Sequence, residues 1–313
     1  SFRDGDYETI QSSSVRNGID IVFLGDGYTS EEVRQGKYKN KLVEATEHFF
    51  NIEPFRTYRN YFDVHIVYAF SDDSGISDHI NAKNTKFSIK YDSPNSTRMS
   101  VNQAASFEYA LKAPLSSTLT ETLVAVITNS TRFAGTNLSF SDGKSISIVP
   151  ATNLPYPNDF RGVVQHEIGG HGFGRLADEY VQINSSIPAA DINELKLWQG
   201  WGFFQNVDVT SDVNEVLWKH IIADPTFSYV GTYEGGYTYA TGVWRSEPIS
   251  LMNNNISYIN AAGRVLIVKQ IKNLSGETFT FNEFKQRDVI DAQALTRSAS
   301  VAADEALRLP PPI

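Results

Sequence analysis

The chain has 313 residues, 41% hydrophobic and 12% aromatic, with a net charge of −9: enough apolar side chain for a substantial core, and too little positive charge for a nucleic-acid or anionic-membrane partner. With no cysteine, disulfides, thiol nucleophiles and thiolate ligands are excluded, so any metal must be held by His, Asp, Glu or water. No apolar run approaches the roughly 18 residues a membrane span needs, and a start at Ser1 without Met or a signal h-region gives the expectation of a mature or trimmed chain.

Ser1 to Arg16 is polar and reads as a lead-in. Gly18 to Leu24 predicts a strand ending at the turn Gly25-Asp26-Gly27. Thr29 and Glu32 make a capping box, so a helix is expected from about Ser30, with Leu42, Ala45, Phe49 and Phe50 as its apolar stripe and an end before Pro54. Tyr61 to Phe70 predicts a second strand, on which His65 reads as a packed or edge residue. Ser71 to Ser100 is loop-like; its Asp72, Asp73, Asp78 and His79 follow no ligand-loop spacing and read as solvated. A helix is expected over Val101 to Leu111, a strand buried on both faces over Thr122 to Thr128, and a hairpin over Phe133 to Val149 turning at Ser141-Asp142-Gly143. This order is that of an α/β (α+β) fold: a twisted mixed sheet whose antiparallel edge strand stands beside the next helix.

That helix carries the chemistry. Val163 to Tyr180 reads VVQHEIGGHGFGRLADEY, with Asn158 or Asp159 as its cap, Phe160, Val163, Val164 and Ile168 toward the core, and Gly174 as its terminator. Zinc takes His nitrogen and carboxylate oxygen, and a catalytic site adds a water whose proton a carboxylate outside the ligand set accepts. His166, Glu167, His171 and an Asp178-Glu179 pair are those residue types. The familiar spacing is H-E-x-x-H; here it is H-E-x-x-x-H, and on a regular helix residues five apart point roughly 140° apart. The histidines can share a metal only if the helix widens, as in a π-bulge, and Gly169-Gly170 lies where the bulge is needed. The bland alternative is a pair of hydrogen-bonded core histidines.

After Tyr180 the pattern is irregular, with Trp198, Trp201, Trp218 and Trp244 read as core and cleft wall. A helix is expected from about Ser257-Tyr258 to Ile271, then a polar, mixed-period segment over Phe279 to Asp291 and a tail ending Leu309-Pro310-Pro311-Pro312. Around Trp244 the chain reads WRSEPISLMNNN. Met252, one of two methionines, suits the Met-turn that forms an apolar floor under a His-ligated metal.

The run HEIGGHGFGRLADEY resembles the zinc motif of the bacterial IgA-peptidase family, the sixty-fourth metallopeptidase family, whose members read H-E-F-G-H-x-F-G-x-L-A-D-E-Y. FLGDGYTSEE, EPFRTYRNYFDVHIV, SDDSGIS, QNVDVT, LWKHII and WRSEPISLM extend the resemblance from about Ile19 to Ile271. It implies a secreted, periplasmic or surface-displayed zinc endopeptidase with one metzincin-like catalytic domain over 1–313: sheet and active-site helix at about 18–180, an irregular lower part with Met-turn and helix at about 181–275, and a C-terminal extension at 276–313. It further implies zinc ligands His166, His171 and Asp178, with Glu179 as the runner-up third ligand, Glu167 as general base, and Met252 in the Met-turn. The chain departs by its extra glycine and by the offset of Asp178, four residues after Gly174 where metzincins use three. No tyrosine follows Met252 closely, so Tyr180 and Tyr258 remain the candidates for an oxyanion-stabilising phenol.

The expected partner is a protein or peptide lying antiparallel along the hairpin's edge strand, with a close backbone approach near Gly135. The rival readings are an inactive relative that binds peptide or glycan at a degenerate site, and a zinc amidase acting on cell-wall material. The sequence is silent on substrate specificity and oligomeric state.

Overall fold

The computed structural model describes residues 2–292; the last part of the expected tail, 293–313, lies outside the described residues. Twelve strands and nine α-helices are formed among the described residues. The polar lead-in contains a strand, β1 (Tyr7–Gln11), which pairs antiparallel with β3 (Phe62–Val67). Its short, half-exposed pattern carries no apolar alternation, which is why the sequence does not betray it. The run after Gly18 is β2 (Ile19–Asp26), flanked by β3 and by β6 (Leu123–Thr128), both parallel to it. A small ribbon, β4 (Lys90–Tyr91) with β5 (Met99–Ser100), lies within the 71–100 loop. The hairpin is β7 (Thr136–Ser139) and β8 (Ser145–Pro150); β8 runs parallel to β6, and β7 returns antiparallel as the edge. The resulting order is β1-β3-β2-β6-β8-β7, a mixed sheet with an antiparallel strand at each edge.

The central strands read as continuous apolar runs because both faces are covered. Along β2 and β6, alternate side chains enter different cores: Ile21, Phe23, Leu123, Ala125 and Ile127 on one face, Val22, Leu24, Val124 and Val126 on the other. The second core is closed by α3 (Gln103–Ala110) and the 71–100 loop. That loop is anchored by buried Asp26 at the end of β2, which accepts from the N–H groups of Phe87 (2.9 Å) and Ile89 (3.1 Å) and from Thr85 Oγ1 (2.8 Å). Asp78 and Asp73 accept backbone N–H groups within the loop, and Asp72 the side-chain amide of Asn84.

The first core holds the site. The expected single helix after Thr29 is two: the capping box starts α1 (Ser30–Arg34), Gly36 at φ 82° breaks the chain, and α2 (Lys37–Phe50) carries the apolar stripe. Next come α4 (Phe160–Val163), capped by Asp159, and the wide helix Val164–Phe173. Helix α8 (Ala261–Leu274), capped by Asn260 and so starting later than expected, packs from below.

The stretch after Tyr180 is more regular than its sequence suggests. It forms β9 (Val181–Ser186), α5 (Ala189–Gly200), β10 (Val207–Asp208), α6 (Lys219–Ile222), β11 (Tyr233–Gly236) and β12 (Thr238–Arg245), with β9, β10 and β11 all paired to β12. The short α7 (Leu251–Asn254) follows, and α9 (Phe281–Arg287) ends the described elements. No described helix is long and apolar enough to cross a membrane.

Candidate metal centre and cleft

The helix holding both histidines is widened over its whole ten residues, Val164–Phe173, and not only at Gly169-Gly170. At its end Gly174 donates to the carbonyl of Gly169, five residues back, at 2.9 Å. Closing bonds five residues apart stacks such residues in successive turns, so His166 and His171 share a face that a regular α-helix would split. Gly174 itself stays right-handed. It is required for closeness, since a Cβ there would lie 2.8 Å from the Gly170 carbonyl oxygen; the left-handed residue that turns the chain is Arg175, φ 53°.

The turn returns Asp178 to the histidines. Its flanks are tied on both sides: Ala177 N–H donates to Asn206 Oδ1 (2.7 Å), Tyr237 N–H to the Asp178 carbonyl (2.8 Å), and Glu179 N–H to the Met252 carbonyl (2.9 Å). His166 Nε2 lies 3.1 Å from His171 Nε2 and 3.0 Å from Asp178 Oδ1, and His171 Nε2 is 3.1 Å from the same oxygen. Each imidazole turns Nδ1 to a backbone carbonyl, Leu251 for His166 (3.2 Å) and Leu176 for His171 (2.8 Å). A carbonyl only accepts, so both Nδ1 atoms carry hydrogen, and each ring in its neutral form offers an Nε2 lone pair to the centre. Three acceptors this close need a proton or a cation among them. Zinc bonds of about 2.0–2.1 Å in a tetrahedral site set ligand atoms about 3.3 Å apart, so the donor set fits that ion.

Glu167 completes the centre. It is 1% exposed and its Oε1 makes no hydrogen bond, although the side chain lines the cleft. Burial pushes its carboxyl up to about 7, against the pull of the two histidines. Burial alone would lower His171, but the Asp178 carboxylate outweighs it and holds the imidazolium up to about 9. Asp178 is held well below the usual carboxylate range by the two histidines, which overcome its burial.

Glu179 faces away from the centre. Its buried carboxylate accepts from Ser250 Oγ, from Asn206 Nδ2 (2.9 Å) and from Asn260 Nδ2 (2.9 Å to each oxygen), which leaves Asp178 as the carboxylate at the histidines. Met252 is 1% exposed under the helix, its sulfur against Gly170. The two tyrosines considered from sequence do not line the cleft. The Tyr258 hydroxyl donates to Glu247 (2.7 Å) and Tyr180 is buried, its phenol pushed far up by burial and the Asp178 charge. His65 is likewise spent on structure, between Asp20 (3.1 Å) and Thr9 (2.9 Å).

The cleft above the centre has a volume of about 540 Å3. Asn137, Leu138 and Ser139 of β7, with Arg98, form one wall; Trp198, Phe204, Tyr237 and Tyr239 form the other. Gly135 does not offer the expected open approach, because its N–H is taken by the Thr97 carbonyl (3.1 Å). Sequence reading missed Tyr237 and Tyr239. The only trace was Gly235-Gly236 before them, which allows the tight β11–β12 turn where Tyr237 and Thr238 both take positive φ (48° and 71°).

No curated protein matches the chain. The model of the IgA peptidase M64 family matches residues 8–227, more than two-thirds of the chain, a span that holds both histidines, Glu167 and Asp178 and stops before Met252. The chain belongs to the IgA peptidase M64 family, a family of metallopeptidases.

Proposed function

We propose that the protein is a zinc-dependent endopeptidase in which His166, His171 and Asp178 hold the ion and Glu167 is the general base. The observation that carries this reading is the convergence of three acceptor atoms within 3.1 Å beside a buried carboxylate oxygen without a partner. When bound, zinc supplies Lewis-acid polarisation of the scissile carbonyl and acidifies a water. The chain's own groups do the rest. Leu251 and Leu176 carbonyls fix the imidazoles in the tautomer that presents Nε2. Glu167 Oε1, buried at the cleft with no other partner, takes the proton of the attacking water and delivers it to the leaving amine nitrogen. The outer edge of β7 aligns an extended substrate by adding it to the sheet, which places a peptide carbonyl over the centre. The metzincin-like description, with Met252 as a Met-turn floor, belongs to this same reading and draws on the contact between Met252 and Gly170.

The test is Glu167→Gln. The variant is expected to bind one zinc per chain with wild-type affinity and to lose peptide cleavage by at least about a hundredfold, the lower range for a positioned base. Undiminished cleavage by the folded, zinc-loaded variant would sink the mechanism.

A further inference from the structure

The cleft extends beyond the centre into a part that the hydrolytic step leaves unused. Helix α5 sends Asp191, Glu194 and Trp198 into it, and spacings of three and four residues put them on one stripe of that helix. Trp198 packs on Phe204 (ring centroids 5.6 Å apart) and Phe204 on Tyr237 (5.9 Å), so the aromatic surface is continuous. The Tyr239 hydroxyl donates to Asp191 and fixes that carboxylate at the rim. The Glu194 side chain makes no hydrogen bond or ion pair among the described residues and stays exposed. The same cleft contains the unpartnered, buried Glu167 Oε1, so this wall and the centre border one continuous space.

We propose that this wall is a subsite for a lysine or arginine side chain of the peptide substrate, beside the scissile bond. The proposal rests on the peptidase reading given above. Aromatic faces accept the aliphatic stem and the cation over their rings, and two carboxylates at the far end accept the charged head. An acidic side chain would instead meet two like charges, and a small apolar one would leave the aromatic surface wet. On the opposite wall Arg98 is 3.5 Å from Asp92 and faces the cleft, which repels a basic residue from that side and fixes the polarity of the peptide.

Zinc-loaded protein is incubated with a proteome-derived peptide library, and the binding of two matched peptides, one with Lys and one with Glu at the selected position, is measured on the Glu167→Gln variant. The expected result is enrichment of Lys and Arg at one fixed position next to the cut, and binding of the Lys peptide about fivefold tighter, the factor that one partly exposed ion pair supplies. Glu194→Lys, an exposed change that leaves the core alone, is expected to remove that ratio, and Asp191→Asn to reduce it. Cleavage without a basic preference, or a preference indifferent to Glu194→Lys and Asp191→Asn, overturns the subsite and leaves the peptidase reading intact. Selective binding of the Lys peptide by a protein that cuts nothing when zinc-loaded supports the subsite and overturns the peptidase reading.

Discussion

Gly170 rests on the sulfur of Met252: a Cβ on Gly170 would fall 2.2 Å from Met252 Sδ and 3.0 Å from its Cε. Met252 is 1% exposed, so its thioether can yield only by pushing into the packed core around it. Gly170→Ala therefore overpacks the floor of the centre, at a cost of about 1–3 kcal/mol, and lifts the helix between the two histidines. The expected outcome is a lower melting temperature together with weaker zinc binding by competitive chelator titration. Met252→Ala should restore much of the loss in the double variant, because the two residues are in contact and their effects cannot add. Strict additivity would show that Met252 is not what makes alanine intolerable.

Much of this centre was legible because its residue types are scarce. Six histidines in 313 residues, two of them five apart with a glutamate after the first, point to a metal centre, and the odd spacing forces a widened helix on geometric grounds. The extent of the widening was not legible. Gly169-Gly170 mark where a bulge is tolerated, but the i to i+5 pattern spreads over ten residues because Gly174 must also approach the Gly169 and Gly170 carbonyls. The central strands were visible through their continuous apolar runs, while β1 and β9 were not, since half-exposed or exposed edge strands carry no apolar signature. The aromatic cleft wall was legible only in part, through Trp198. Tyr237 is distant in sequence from Trp198 and Phe204, which are near neighbours in the chain, and joins them only through tertiary folding.

Glu179 predicts a positioning effect one residue from a proposed ligand. Its carboxylate gathers Ser250, Asn206 and Asn260, while Asn206 holds Ala177 and the Glu179 N–H holds Met252. The residues on either side of Asp178 are thus fixed by one buried group. Glu179→Gln keeps the size but turns an amide N–H2 toward the side-chain amide donors of Asn206 or Asn260. Zinc affinity is expected to fall about 10–100-fold, the usual effect of losing support behind a ligand. Glu179→Asp should rescue less than half of the loss, since the shorter arm cannot reach all three partners. An unchanged zinc affinity in Glu179→Gln would show that Asp178 needs no such support.

Glu247 predicts an unusual pH dependence away from the centre. It is buried, accepts from Tyr258 Oη (2.7 Å) and from the Ala261 N–H, and desolvation pushes its carboxyl from 4.5 up to about 7. Because the folded value is raised above the unfolded one, the fold prefers the neutral acid. That preference contributes fully below pH 4.5 and is lost as pH rises through 7, opposite in sign to an ion-paired carboxylate. The shift corresponds to about 3 kcal/mol. Glu247→Gln stays neutral throughout, so the stability of wild type relative to the variant should fall by up to that amount between pH 4.5 and pH 8. Denaturant unfolding at the two pH values measures the gap. A gap that stays constant would mean that Glu247 ionises in the fold at no cost.

Arg264 and Asp288 form the buried ion pair that ties the segment after α9 to the underside of the site. Arg264 Nε and Nη2 donate to the two oxygens of Asp288 at 2.7 and 2.9 Å, with side-chain exposures of 1% and 6%. Neither group can recover water without the segment opening. Asp288→Ala leaves the guanidinium buried with Ile259 O and two tyrosine hydroxyls as its remaining hydrogen-bond acceptors, and is expected to cost about 3–5 kcal/mol in urea unfolding. Replacing both residues by leucine removes the charge together with its partner, and should return most of that stability, because the penalty comes from the orphaned cation and not from the missing attraction. If the double replacement were as unstable as Asp288→Ala, the loss would instead come from packing around α8. Zinc affinity distinguishes this pair from Glu179: the ion pair touches neither the histidines nor Asp178, so the Asp288→Ala protein that remains folded should bind zinc as the wild type does.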